Sequence, residues 1–243
     1  YICFTDDPRL TSDSWTIIHT EASIPGDPAR SSRRVKILGH RFLERYKDWL
    51  WIDNRIMLKR SPIDIFALLE DGTELSLARH DHRADLHAEI QAVIRLQKDS
   101  AYRVREWEKF LEANDPGALR GPVFNGTIVL RSNTPAVRQL MEEWFQLVLR
   151  FSGRDQLSFP YVLRKSEVRF SDLPLAISGS KHHSYTPRRD LRMKKSRLPG
   201  PFRPSLLAVI SDEVRSRAHS SARSLTQRLF GQFRNRGPRK PSP

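Results

Sequence analysis

Two aspartates, Asp53 and Asp155, stand where this sequence is best able to do chemistry. Asp53 ends the apolar run Trp49-Leu50-Trp51-Ile52 and is followed by Asn54, before apolar residues resume at Ile56-Met57-Leu58. A short apolar run of this kind fits a strand buried on both faces, as in a parallel sheet. An acid where such a strand leaves an α/β sheet can hold a divalent cation through oxygen, and the cation can hold a phosphate. The competing reading is a polar strand end facing water. Asp155 lies in Ser152-Gly153-Arg154-Asp155-Gln156-Leu157-Ser158-Phe159, where a polar turn opens a short apolar segment. That is a place for a carboxylate aimed into a cleft, and equally for a helix N-cap.

Cations and amides could serve these acids. Arg34, Lys36 and His40 belong to the segment 33–46, whose apolar residues at 35, 38, 42 and 46 have helical spacing. They form either a solvated basic face or a set of cations reaching a diphosphate. His80-Asp81-His82-Arg83 ends a strand-like run and reads as site-lining rather than as a metal site. Asn125-Gly126 falls inside the strand-like run 123–130, and a glycine there marks close approach by a ligand or another backbone.

The elements that must position these residues follow from pattern. Strands are expected at 1–5, 15–19, 49–52, 75–80 and 123–130. Helices are expected at 33–46, 63–69, 86–111 with a break near Lys98-Asp99-Ser100, and 135–151. The segment 21–32 holds Pro25, Gly26, Asp27 and Pro28 and reads as loop. Alternation of strands with helices points to an α/β class.

Charge is unevenly spread. The net charge of +14 comes almost wholly from residues 181–243, with 16 Lys+Arg against 3 Asp+Glu; residues 1–180 hold 26 against 25. The chain thus reads as a near-neutral domain, 1–185, followed by a basic linker, an amphipathic helix and a disordered end over 186–243. Apolar residues at 206, 210, 214, 218, 222, 225, 229 and 233 draw the stripe of that helix. Such a tail suits an anionic membrane surface or packing against the domain, and makes nucleic acid an unlikely main partner of the body. No apolar stretch approaches the roughly 18–20 residues that span a bilayer. Cys3 is the only cysteine, which fits a reducing compartment, so the expected location is cytoplasmic with membrane association through the tail. The chain opens on Tyr1 directly into a strand-like run, which leaves room for a preceding native segment.

In order along the chain, these motifs resemble the TOD/MUCI-type glycosyltransferase-like domain. They are Tyr1-Ile-Cys-Phe-Thr-Asp-Asp, the Arg-x-x-Lys-Ile-Leu-x-His segment from Arg33, Trp51-Ile-Asp, His-x-x-Arg at His80, Asn125-Gly-Thr and Ser152-Gly-Arg-Asp-Gln-Leu-Ser-Phe. The resemblance covers about residues 1–185. It departs at Asn54-Arg55, where wider relatives carry a second acid.

The resemblance implies a GT-A fold, a Rossmann-like single α/β domain with a mixed, mostly parallel central sheet, and transfer of a sugar from a nucleotide-sugar donor. The acceptor would be a glycan or lipid-linked molecule, in polysaccharide or glycoconjugate biosynthesis. It implies Asp155, with Gln156, as the catalytic pair, in a pattern closer to retaining than to inverting enzymes. The implied donor-binding set is Thr5, Asp6, Arg34, Lys36, Asp53, Asn54, His80, Arg83, Asn125 and Gly126. It also implies Mn²⁺ or Mg²⁺ held by Asp53 with His182 or His183. The alternative is a non-catalytic module that binds nucleic acid or an anionic surface through its basic tail.

Overall fold

A computed structural model of the chain describes residues 1–186. All of them belong to the first of the two units into which the chain divides, Tyr1–Arg192. The expected tail helix at 205–233 lies outside the described residues.

Strands β1 (Ile2–Thr5) and β2 (Thr16–His19) form a parallel pair. Helix α1 (Pro28–Ile37) follows. It starts five residues earlier than the periodicity indicates, inside the segment expected to be loop. The cause is local: the Asp27 carboxylate accepts the Arg30 N–H at 2.9 Å and Pro28 occupies the first turn, a capped start with pre-set φ. The helix ends at Ile37 and passes into a 3₁₀ turn, Gly39–Arg41.

The central sheet has four strands: β3 (Asp48–Ile52), β5 (Leu75–Arg79), β6 (Phe124–Ser132) and β7 (Phe170–Asp172), in the order β3-β6-β5-β7. It is mixed, as expected, but mostly antiparallel. Only β5 and β7 run parallel, while β6 is antiparallel to both β3 and β5. The expectation of a mostly parallel sheet failed because β3 is an edge strand that is apolar for another reason. Trp51 packs on the cluster on one face of the sheet, and Leu50 and Ile52 pack on the cluster on the other. A continuous apolar run reports that both faces are covered, not which way the neighbour runs.

One face of the sheet carries α1, α5 (Pro135–Arg150) and α6 (Asp155–Lys165), through Ile37, Val137, Met141, Trp144 and Phe159. On the other face, Ile56 of β4 (Ile56–Leu58), Ile65 of the short helix α2 (Ile63–Phe66) and Leu173, Leu175 and Ile177 pack against Ala78, Ile128 and Leu130. Strand β4 pairs antiparallel with β8 (His183–Tyr185). A third cluster joins α3 (Leu86–Arg95) and α4 (Ala101–Asn114) to the start of α6 through Trp107, Phe151 and Leu157. Among the described residues no helix is long and apolar enough to cross a membrane.

Two irregularities shape the site. Between Leu77 and Ala78 of β5 the register on β6 jumps from Val129 to Asn125, leaving Gly126, Thr127 and Ile128 as a bulge. Bulges re-aim a strand and end its regular pairing. Gln97, with φ 50°, is the one non-glycine residue in the left-handed region among those described. It closes the α3–α4 turn, and Lys98 N–H returns to Val93 O at 3.0 Å, as at a helix C-terminus of the Schellman kind.

Candidate active site

Charges from α1 and the first turn of α6 meet behind the β6 bulge, with the end of β3 at their edge. Arg33 and Lys36 lie three apart on α1, a spacing that puts both on one helix face. Lys36 Nζ donates to Asp155 Oδ2 at 2.6 Å. Arg33 Nε stands 3.2 Å from the same oxygen as an ion pair without hydrogen-bond alignment. Lys36 Nζ is also 3.9 Å from Asp53 Oδ1, which accepts the Trp51 indole N–H at 2.8 Å. Lys36 and Asp155 are 2% and 3% exposed; Arg33 and Asp53 carry the cluster out to solvent.

Gly126 is needed here for space rather than for backbone freedom. A Cβ at this position would lie 2.6 Å from Lys36 Nζ and 3.3 Å from Asp155 Oδ2. Asp155 does not cap α6. It sits inside the first turn, Arg154 occupies the cap position, and the Asp155 backbone carbonyl is fixed by the Trp144 indole N–H at 3.0 Å. Burial alone would raise the Asp155 pKa. Lys36 and Arg33 outweigh it and hold the carboxyl well below the usual range, so it is ionised. The charge of Asp155 in turn raises the Arg33 guanidinium pKa, against burial.

The helix that presents Arg33 and Lys36 is held from beneath. Arg131, 1% exposed, donates to the carbonyls of Lys36 at 2.6 Å and Ile37 at 3.0 Å. It thereby satisfies the C-terminal carbonyls of α1 from inside the core. Burial pushes its guanidinium pKa down to about 9.

The sequence-predicted residues divide. Asp53, Lys36, Gly126 and Asp155 come together. Arg34 does not join them: it stacks over Phe42 at 5.5 Å, because a residue two positions from Lys36 points to another side of the helix. Arg33 takes the place in the cluster expected of Arg34, and its three-residue spacing from Lys36 was the available signal. His40 pairs with Glu142 at 2.8 Å. Asn125 Oδ1 accepts the Thr127 N–H at 3.0 Å and so braces the bulge. Gln156 Oε1 accepts from Arg154 Nη2 at 2.6 Å. His80 Nδ1 accepts the His82 N–H at 3.1 Å, and Arg83 is bound to Glu89 at 2.8 Å. Thr5 Oγ1 accepts the Asp7 N–H at 3.1 Å at the end of β1, beside Asp6. Asn54 lies in the exposed turn after β3.

The implied ligand set of Asp53, His182 and His183 is not assembled here. In the β4–β8 ribbon Ile56 opposes Tyr185 and Leu58 opposes His183, while Lys59 N–H reaches His182 O. Asp53 adjoins the Ile56 end and the histidines the Leu58 end; two or three strand residues at about 3.3 Å each separate those ends. Both ring nitrogens of His183 are engaged, with Ser180 Oγ at 2.9 Å and Ile177 O at 3.3 Å. Among the described residues no group of three or more His, Cys, Asp or Glu is gathered to hold a metal ion. The engaged ring of His183 does not fit Mn²⁺ or Mg²⁺ as a ligand, whereas both ring nitrogens of His182 are buried without a hydrogen-bond partner.

The sequence model of the "TOD1/MUCI70, glycosyltransferase-like domain" matches residues 5–176. The chain belongs to this family. Its matched span runs from the end of β1 through the whole Asp155 cluster. The TOD1/MUCI70 chain is 27% identical over 162 residues to the "Probable hexosyltransferase MUCI70" of Arabidopsis thaliana, covering 62% of this chain and 28% of that protein. The chain thus spans little more than a quarter of the length of this curated relative. Mouse xyloside xylosyltransferase 1 in its apo form aligns over 65% of this chain and 63% of its own at 15% identity, with a TM-score of 0.38.

Proposed function

We propose that this domain is a GT-A-type glycosyltransferase site that moves a sugar from a nucleotide-sugar donor to a glycan or lipid-linked acceptor. Family membership supports the class. The observation that carries the reading is Asp155, buried yet ionised, held by Lys36 and Arg33 where a bulged strand approaches without a side chain at Gly126.

In glycosyl transfer the bond from the anomeric carbon to the diphosphate oxygen breaks, and its electron pair leaves with the diphosphate. Positive character grows on the sugar ring and negative charge on the leaving group. A fixed carboxylate suits the first and fixed cations the second. Asp155 is assigned the face of the anomeric carbon. Its distance from that carbon in the donor complex decides between nucleophile and electrostatic stabiliser. Arg33, open to solvent at the edge of the cluster, is assigned to the diphosphate. Lys36 keeps Asp155 ionised and oriented. Asp53, tied to Trp51, is assigned to the donor-facing wall; no step here runs through a metal ion. The basic residues beyond 198 are assigned to an anionic membrane surface in the cytoplasm, which would bring a lipid-linked acceptor within reach.

A panel of UDP-, GDP- and CMP-sugars, each with and without Mn²⁺, tests this reading by thermal unfolding. At a hundredfold excess over its Kd, a true donor stabilises the fold by about 2.7 kcal/mol, a shift of several degrees. Absence of a shift for every member of the panel would overturn the reading. A shift that requires Mn²⁺ would show that a metal site forms with groups the described residues have not gathered.

A further inference from the structure

The β4–β8 ribbon turns to solvent a surface that the mechanism above does not use. In β4, Ile56 and Leu58 pack toward the cluster on that side of the sheet, while Met57 between them is 52% exposed, as alternation along a strand requires. The chain then runs through Arg60, Ser61 and Pro62 into α2. Its first residue, Ile63, is 72% exposed, whereas Ile65 is fully buried. One isoleucine anchors the helix and the other is presented.

Cations frame these two apolar side chains. Lys59, Arg60 and Lys181 are exposed. Pairing brings them to one end of the ribbon. Leu58 opposes His183, and Lys59 N–H donates to His182 O at 2.8 Å. Lys59 Nζ donates to Ser180 O at 3.0 Å, so its contacts fall on either side of Lys181. Arg55 marks the other end, stacked over Tyr185 at 4.3 Å and donating through Nε to Thr186 O at 3.2 Å. Against these cations, residues 55–64 and 180–186 hold one acid, Asp64, which is half-buried.

Single exposed apolar side chains are ordinary. Two of them set among cations suit a partner that is negative outside and apolar within. An anionic bilayer has that layering: headgroup phosphates meet the ammonium and guanidinium groups, and Met57 and Ile63 reach the acyl boundary. A nucleic acid or a soluble polyanion supplies the charge but gives Met57 and Ile63 no apolar layer to enter.

We propose that the outer face of β4 and the start of α2, together with Lys181, form a docking face for an anionic membrane. This rests on the membrane reading given above for the residues beyond 198 and moves part of that contact onto the folded body. The Ile56 N–H donates to Asp53 O at 2.9 Å, so the ribbon starts at the acid assigned to the donor-facing wall. A lipid-linked acceptor held at this face is delivered beside that wall.

Co-sedimentation of the full chain with vesicles tests the docking face without any donor. The vesicles are phosphatidylcholine alone or an equimolar mixture of phosphatidylcholine and phosphatidylserine. Met57→Ser with Ile63→Ser removes the apolar pair. Arg60→Glu with Lys181→Glu reverses the charge. Arg95→Glu with Arg105→Glu makes the same charge change on α3 and α4, which belong to a different cluster. All of these positions are exposed, where substitution costs little stability, and thermal midpoints check that each variant is folded. The wild type is expected to pellet with the mixed vesicles and not with phosphatidylcholine alone. Each ribbon variant is expected to weaken that binding by about tenfold or more, while the α3–α4 variant stays within about threefold of wild type. Wild-type binding in both ribbon variants would leave the contact to the tail and overturn the docking face. Loss in the charge variant alone would make the face a general polyanion surface and overturn it too, as would equal losses in the α3–α4 variant or equal pelleting with both vesicles. A wild type that binds neither vesicle would sink the docking face together with the membrane reading of the tail. A failed nucleotide-sugar panel would leave the docking face standing.

Discussion

Asp155 and His183 are both nominated by sequence as site residues, and both are buried, yet the structure satisfies them in opposite ways. His183 finds its partners nearby in the chain, at Ser180 and Ile177. It fastens a loop to the strand that follows. Asp155 finds Lys36 119 positions away, and Arg33 beside it. A buried ion pair is a poor device for stability, because apolar residues of similar volume serve as well or better. A polar residue satisfied by its immediate loop is explained by folding. A charge cluster gathered from distant segments around a glycine that leaves no room for a Cβ asks for a further reason, and chemistry is one.

Removal of Asp155 tests that contrast most strongly. Asp155→Ala strands the buried Lys36 ammonium beside Arg33. The expected cost is about 3–5 kcal/mol in urea unfolding, together with loss of transfer. A cost below about 1 kcal/mol would mean the pair behaves as a surface bridge and the comparison fails.

Acid sharpens the same point more gently. A carboxylate whose folded pKa is depressed contributes stability that is present above its unfolded pKa, about 4. That stability is lost as pH falls through the folded value. The wild type should therefore lose stability progressively below about pH 4, and Asp155→Asn should lose less over that range. Parallel acid curves for the two would contradict the assignment.

Gly126→Ala comes next in size. Its Cβ would lie 2.6 Å from the Lys36 ammonium and 3.3 Å from Asp155 Oδ2, so their contact must shift. A destabilisation of about 1–3 kcal/mol is expected, with a disproportionate fall in kcat. Unchanged kcat in this variant would detach Lys36 from the reaction. The smallest effect belongs to His183→Gln. Loss of its ring contacts should lower stability by about 1–2 kcal/mol and leave donor turnover unchanged. Loss of activity in a folded His183 variant would restore the ligand role that the family resemblance implies.

Much of this was legible in the sequence because it is written locally. The break at Lys98-Asp99-Ser100 and the strands expected at 75–80 and 123–130, observed as Leu75–Arg79 and Phe124–Ser132, follow from turn chemistry and periodicity. The start of α1 was legible too, in Asp27-Pro28, but its polar first turn masked it. Strand direction was not legible in β3, because cover on both faces produces the same apolar run in either orientation. In the site, Asp53, Lys36, Gly126 and Asp155 could be named from motif and position. Arg33 was within reach of a three-residue spacing argument, and Arg34 could have been set aside by it. Arg131 could not be foreseen, since a lone charge on a strand looks the same whether solvent or another chain segment meets it. The placing of His182 and His183 depends on the register of β4 with β8, which no local pattern encodes.

The account turns on Asp155, and one comparison reaches it directly. Donor turnover is measured for the wild type, Asp155→Asn and His183→Gln, each shown to be folded by its thermal midpoint. The account predicts that Asp155→Asn loses turnover by at least two orders of magnitude, roughly the effect of removing a central electrostatic group, while His183→Gln retains wild-type turnover. Full activity in a folded Asp155→Asn would contradict it.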